Sequence, residues 1–293
     1  MTATGKQGRL ASHQTHRVLR DVFDDMVCQA DALARARRRT RLPYQGSGCR
    51  DVLRHSEVFL VLACRQILRN TFFLADELFV QGVRVSDPAT VDIAEMVLCG
   101  SINKGIASSI KRAGGRAVGL SGKDDNLLMA KKLGKSIVDA ETGETKVVDI
   151  GFVGDITAVN TRVIRDLVSS GIVPIIAPIA VDASGQTYNC NADTAAGAIA
   201  GAMKAHRLLL LTDVAGVLNK DKELLQQIDS VKVEELIEDG TIFGGMIPKV
   251  NTALGAVRAG VGASIILDGR VRNALLLELF TPGGAGTLIR LPE

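Results

Sequence analysis

The chain has 293 residues, 46% of them apolar and 23% charged, with a formal net charge of +3. That usage suits one large α/β domain or two lobes around a sizeable core. It excludes a bilayer span, for which no apolar run reaches ~18–20 residues, a signal peptide, and a disulfide scaffold or zinc site built from the unpatterned Cys28, Cys49, Cys64, Cys99 and Cys190.

In chain order, the first segment stands apart. Residues 1–70 hold twelve Arg, one Lys and six acids, whereas the rest carries 22 bases and 26 acids. Three of the four His and three of the five Cys also lie there. Residues 34–41 form a basic cluster, and apolar runs lie at 58–64 and 72–75. A basic arm can bind nucleic acid or membranes. No aromatic platform accompanies this one, so neither partner is expected. Two vocabularies in one chain mean a fused module or a segment read in a shifted frame.

From Phe79 the organisation is regular. Ser86, Asp87 and Pro88 start a helix over 86–112, a capping side chain followed by proline in the first turn. Leu98, Ile102, Ile106 and Ile110 form one stripe, and Gly114-Gly115 stops it. A short strand is expected at 116–120, then a polar turn at 123–125 and strand-like runs at 146–150 and 154–159. Asn160 can cap a helix ending at Gly171. The run 172–179 is apolar throughout, as in a strand covered on both faces. Helices follow at 191–205, 231–238 (capped by Ser230), 245–259 and 271–280, with strands at 207–211, 263–267 and 286–291. The alternation predicts an α/β fold with a mainly parallel sheet and helices on both faces, with a lobe boundary near Pro178.

Four places could carry chemistry. Thr212, Asp213 and Gly216 follow a buried strand, and open parallel sheets bind ligands beyond the carboxyl ends of their strands; the competing reading is a polar turn. Asn189, Asn191 and Asp193 crowd a predicted helix N-terminus, whose free N–H groups favour an anion. Asn191 can also be a simple cap, and Asp193 could orient a lysine or a water. Lys249 follows Gly244-Gly245 into the first turns of a helix, where a cation opposes the dipole. Such a local conflict marks function or a solvated surface lysine. Arg84 sits in the apolar stretch Phe79-Val80-Gln81-Gly82-Val83-Arg84-Val85, where its planar fork could clamp a carboxylate or pair with Asp87 or Asp92.

Together with Val118-Gly119-Leu120-Ser121-Gly122-Lys123-Asp124, Tyr188-Asn189-Cys190-Asn191-Ala192-Asp193, Thr212-Asp213-Val214-Ala215-Gly216-Val217-Leu218, Gly244-Gly245-Met246-Ile247-Pro248-Lys249 and Leu267-Asp268-Gly269-Arg270-Val271, that stretch resembles the N-acetyl-L-glutamate kinases of the amino acid kinase superfamily. The resemblance covers residues 79–293. It implies an αβα sandwich, with an N-lobe (79–178) for N-acetyl-L-glutamate and a C-lobe (179–293) for ATP carrying Mg2+. Arg84 would grip the α-carboxylate and Asn189 the acetylated substrate. Asp193 would organise the catalytic lysines, Lys249 would stabilise the transferring phosphoryl group, and Thr212, Asp213 and Gly216 would line the nucleotide site with it. A cytoplasmic homo-oligomer, dimer or hexamer, is implied. The rival readings are another kinase of the superfamily, told apart by a screen of acceptors, and a non-catalytic nucleotide-binding relative.

The departure lies in residues 1–78. The family's Lys-x-Gly-Gly and His-Gly-Gly-Gly-Pro turns, whose backbone N–H groups approach phosphate oxygens, do not occur there, and His55 is followed by Ser56-Glu57. Yet the length upstream of Phe79 is about what the family uses. A shifted frame preserves length while scrambling residues, and it accounts for the Arg, Cys and His. The expectation is a disrupted N-terminal part and little or no kinase activity in the chain as written.

Overall fold

The structure, a computed structural model, describes residues 59–61, 79–80, 83–84, 86–138 and 145–292. The basic cluster at 34–41 and nearly all of the 1–78 segment lie outside these residues, as does the side chain of Arg84. Strand β1 (Phe59–Val61) falls in the apolar run 58–64, and β2 (Phe79–Val80) pairs antiparallel with β3 (Val83–Arg84).

The expected helix over 86–112 forms as α1 (Pro88–Glu95), a π-helical segment (Met96–Ile102) and α2 (Asn103–Arg112). Of the two candidates Asp87 is the cap: its carboxylate accepts the Thr90 N–H at 2.7 Å. Ser86 is instead buried, its backbone bonded to Ile150 and Phe152. Gly114 adopts φ 85° and ends α2. Strand β4 (Ala117–Ser121) then pairs in parallel with the later β7 (Val173–Ala177). That run is not covered on both faces as expected: its burial is partial, and Val173 is 44% exposed.

Strand β5 (Leu128–Val138) was not expected, and the two runs at 146–150 and 154–159 are one strand, β6 (Thr145–Val159). Gly151, at φ 75°, joins the two halves of β6. A Cβ there would lie 2.1 Å from the Ser86 carbonyl oxygen, so only glycine lets the start of α1 dock on the strand. Helix α3 (Arg162–Ser169) has Thr161 at its cap, with Asn160 Oδ1 accepting the Arg162 N–H. Strands β8 (Ile179–Val181) and β9 (Thr187–Cys190) form a hairpin that closes with β5 and β6 into a small barrel.

The remaining elements follow the expected alternation: α4 (Ala192–Met203), β10 (Arg207–Thr212), β11 (Gln227–Asp229), α5 (Ser230–Glu238), α6 (Met246–Arg258), β12 (Ala263–Asp268), α7 (Ala274–Phe280) and β13 (Gly286–Arg290). Asp229 rather than Ser230 caps α5, accepting from Lys232 N–H, and α7 begins three residues later than the periodicity implied. The main sheet has the order β1-β10-β12-β13-β11, parallel except between β12 and β13.

Both faces of this sheet are packed, which is why its strands read as continuous apolar runs. Leu208, Leu210 and Ile266 turn to one side, onto residues of α4 and α6 such as Ile199 and Val250. Leu209, Leu211, Ile265 and Leu267 turn to the other, onto Ala274 and Leu275 of α7. The result is the αβα layering expected from the alternation.

Candidate functional site

Each of α4 and α6 runs into the central strand that follows it through a tight left-handed turn, at Lys204 (φ 52°) and at Gly260 (φ 97°). Each helix is therefore antiparallel to that strand. Both N-termini return to the edge where β10 and β12 end, the edge at which open parallel sheets bind ligands.

The two helices approach closely because small residues face each other. A Cβ on Gly197 would lie 3.0 Å from Thr252 Cγ2, and one on Gly201 would lie 2.9 Å from Ala259 Cβ. That approach brings Asp193, in the first turn of α4, to Lys249, near the start of α6. Lys249 Nζ lies 3.1 Å from Asp193 Oδ2, with both side chains only 14% exposed. The lysine that opposes its own helix dipole is thus answered by a carboxylate favoured by the dipole of the neighbouring helix. Asp193 Oδ1 is buried and has no hydrogen-bond partner among the described residues. A carboxylate oxygen can accept a further hydrogen bond.

Asn191 is the α4 cap, its side chain accepting from Thr194 N–H at 3.0 Å, which is the plainer of its two readings. Asn189 lies two residues earlier on β9. Tyr188 and Cys190 turn into the core, so the alternation puts Asn189, half-buried, on the other face. Burial lifts the Cys190 thiol to about 12, which keeps it a neutral core group rather than a nucleophile. Ser86, two residues after Arg84, bridges to Gly151 on β6, and Asn189 pairs with Val153, two residues along the same strand. The backbone register by itself does not bring Arg84 to Asn189, because the Ser86–Gly151 bridge is parallel and the chain before Ser86 runs back towards Asp149.

Thr212, Asp213 and Gly216 form one turn beyond β10. The Thr212 hydroxyl accepts from Val214 N–H at 3.0 Å and donates to Val214 O at 3.3 Å, so it closes the turn on itself. The Asp213 side chain is exposed. Gly216 has φ 146°, and a Cβ there would lie 2.5 Å from Thr287 Oγ1. Sequence reasoning gave no role to the residues that hold this turn: Asp268 at the end of β12, Arg270 just beyond it, and Thr287 on β13. The signal for the first two was present, because Asp268-Gly269-Arg270 closes a second buried strand that ends beside Thr212. Thr287 carries no signal of its own in the sequence.

A model of the amino acid kinase family matches residues 29–268, beginning well before Phe79. The acetylglutamate kinase of Rhodospirillum centenum is 58% identical over 211 residues, 72% of this chain and 69% of that protein. The acetylglutamate kinase of Novosphingobium aromaticivorans is 54% identical over 217 residues, 72% of each chain. Among solved structures, the N-acetylglutamate synthase of Neisseria gonorrhoeae, complexed with coenzyme A and N-acetyl-glutamate, matches 74% of this chain at a TM-score of 0.62 and 24% identity. The chain spans 47% of that synthase, and the likeness is one of fold. The smu.665 protein of Streptococcus mutans matches 78% of this chain and 82% of its own at a TM-score of 0.59 and 29% identity.

Proposed function

The chain belongs to the amino acid kinase family, and we propose that it is built to move the γ-phosphoryl group of ATP onto the side-chain carboxylate of N-acetyl-L-glutamate, a step of arginine biosynthesis. The observation that carries this reading is the shielded Asp193–Lys249 pair at the sheet's carboxyl edge. The relatives named acetylglutamate kinase supply the acceptor.

The chemistry asks little covalent help of a protein. A glutamate side-chain carboxyl has a pKa of about 4.3 and is already an anion at neutral pH, so its oxygen can attack the γ-phosphorus without a general base. The new carboxylate O–P bond forms as the bond to the β,γ-bridging oxygen breaks, and ADP leaves with that electron pair. The obstacle is bringing an anion up to an anion. Lys249 answers it with an ammonium out of bulk water, where charge neutralisation is stronger. Asp193 fixes where that ammonium points. Mg2+ arrives with the nucleotide and supplies further neutralisation of the phosphates. Thr212, Asp213 and Gly216 shape the nucleotide's seat in the C-lobe (179–293). Arg84 holds the α-carboxylate and Asn189 the acetylated end in the N-lobe (79–178). Oligomerisation of this cytoplasmic enzyme, as dimer or hexamer, belongs to the same reading.

On this reading residues 1–78 are a segment translated out of frame, although the family match from residue 29 and the pairing of β1 with β10 weigh against it. The support for a shifted frame is the sequence alone: the Arg, Cys and His usage of the segment and the absence from it of the Lys-x-Gly-Gly and His-Gly-Gly-Gly-Pro turns. The chain as written is then expected to bind nucleotide with little turnover, which is also what a non-catalytic relative would do.

The test traps acyl phosphate with hydroxylamine, using purified chain, Mg-ATP and N-acetyl-L-glutamate, beside a protein translated from the alternative upstream frame. The frame-restored protein should turn over, and Lys249→Ala should cut its rate by about 10²–10³ while leaving N-acetyl-L-glutamate binding nearly intact. Full turnover by the chain as written, on the order of 10 per second, overturns the frame reading. No hydroxamate from either protein overturns the proposed reaction.

A further inference from the structure

Three groups beyond the assigned site converge on the turn after β10. Arg270 reaches back across the strand ends and donates from one terminal nitrogen to the Asp213 carbonyl oxygen at 2.7 Å. Its guanidinium is held for this by Asp268. Nε donates to Oδ1 at 2.9 Å and the same terminal nitrogen donates to Oδ2 at 2.8 Å. Asp268 is itself well shielded, its side chain 13% exposed, and its Oδ1 also accepts the Arg270 backbone N–H at 2.9 Å. A fork with two donor sites on the carboxylate has a fixed plane, so its third hydrogen bond has a fixed direction.

At the other end of the turn, the fully buried Thr287 hydroxyl accepts the Val217 N–H at 2.8 Å. The same oxygen occupies the space in which a side chain on Gly216 would sit. Between these two anchors the chain is Asp213 to Val217. Inside it, the Thr212 hydroxyl ties only to Val214.

We propose that Arg270 and Thr287 are positioning residues that clamp the Asp213–Val217 turn from both ends, and that this clamp sets the affinity for the nucleotide. The inference rests on the assignment of this turn to the nucleotide. The physical reason is preorganisation: a short turn left to itself samples several conformers, and a ligand that needs one of them loses affinity in proportion to the population of the others. Arg270 acts from the neighbouring strand and Thr287 from the strand beyond it, so three strands of the sheet set the shape of one turn.

The test measures ATP and ADP dissociation constants by calorimetry on the full chain, beside thermal unfolding of the same samples. Arg270→Lys keeps the charge but loses the fork, and should weaken ADP about tenfold, the worth of one charge-assisted hydrogen bond, with little change in melting temperature. Thr287→Val removes the buried acceptor and should weaken ADP while also lowering the melting temperature. Thr287→Ser restores the hydroxyl and should restore affinity, a rescue that a merely space-filling role would not give. If the unaltered chain binds no nucleotide, the functional assignment itself fails. If it binds, and Arg270→Lys binds equally well, or Thr287→Ser behaves like Thr287→Val, the clamp is refuted and the assignment stands.

Discussion

The main sheet and the small barrel solve the same problem, burying apolar surface, in opposite ways. In the sheet, β10 and β12 are buried along almost their whole length, between α4 and α6 on one face and α7 on the other. In the barrel, the described stretches of the two longest strands carry charged side chains open to water. Lys131 and Lys132 of β5 pair with Asp155 and Asp149 of β6 at 3.7 and 2.8 Å, their side chains 42–69% exposed. Exposed pairs of that kind contribute about 0–1 kcal/mol. The sheet is therefore held by packing. The barrel is held by backbone pairing, by its inward residues such as Leu128 and Ala130, and by a few points of docking.

That contrast predicts unequal costs for equal damage. Ile265 on β12 is fully buried, and Ile265→Ala should cost about 2–5 kcal/mol, the lost transfer energy plus the cavity left behind. Ile156 on β6 is half-buried against the core, and Ile156→Ala should cost about 1 kcal/mol, since less surface returns to water. Urea unfolding of both variants measures the difference. Equal costs would mean that the barrel is as tightly packed as the sheet.

The same contrast explains what could be read in the sequence. Doubly covered strands announce themselves as apolar runs, so β10 and β12 were legible to within a residue. β5 was not, because Leu128-Met129-Ala130-Lys131-Lys132-Leu133-Gly134-Lys135 neither alternates nor stays apolar. Its partner was legible only in halves, because the glycine that breaks the pattern at 151 is a bulge inside a strand, not a turn between two. Helix starts were located to within a few residues, and the cap before Pro88 is one of the two polar residues offered there, but Ser230 was named as cap where its neighbour Asp229 is the one. At the site, Asp193 and Lys249 were legible because a lysine opposing its own dipole is a visible conflict. Their contact was implied by the resemblance, in which Asp193 organises the catalytic lysines, but its geometry was not, because it depends on two glycines in α4 meeting Thr252 of α6 and Ala259 at its C-terminal cap. Thr287 was invisible: its role exists only where β13 returns beside the turn.

The barrel's docking point should break more locally. Gly151→Ala places a methyl 2.1 Å from the Ser86 carbonyl at a backbone angle that alanine avoids. The strain is worth about 1–3 kcal/mol, and the chain can relieve it by releasing the start of α1. Amide exchange at Ser86 and Phe152, whose N–H groups bond across this junction, should speed up while exchange in β10 stays slow. Faster exchange in both regions would show that the barrel and the sheet unfold together.

A cap in the sheet region offers a smaller and cleaner comparison. Asn191→Ala removes the acceptor for Thr194 N–H and should cost about 0.5–2 kcal/mol, with Gly in its place costing only a few tenths. If the cap also served the ligand site directly, nucleotide affinity would fall further than stability accounts for. The contacts give Asn191 no such role, so calorimetry should find ADP binding unchanged by the Gly variant.

The smallest effect is expected at Asp268, in the sheet region but at its wet rim. The hydrogen bonds from Arg270 hold its carboxyl below the ordinary carboxylate value, against the opposing effect of burial. A carboxyl whose pKa is lower in the folded chain than in the unfolded one adds stability at every pH above the unfolded value, about 3.9. That stability is lost as pH falls through the folded value, because the proton that neutralises the carboxylate also releases the guanidinium. Arg270 is 62% exposed, so solvent and salt screen the pair and its worth should stay below about 1 kcal/mol. Unfolding free energies of the unaltered chain and of Asp268→Asn should therefore differ by a constant amount from about pH 8 to about pH 5, and converge below about pH 4. Molar salt should shrink the difference at neutral pH. A gap that widened towards acid would have the opposite sign, and would mean that the carboxyl is stabilised in its protonated form and that Arg270 is held by the Asp213 carbonyl alone.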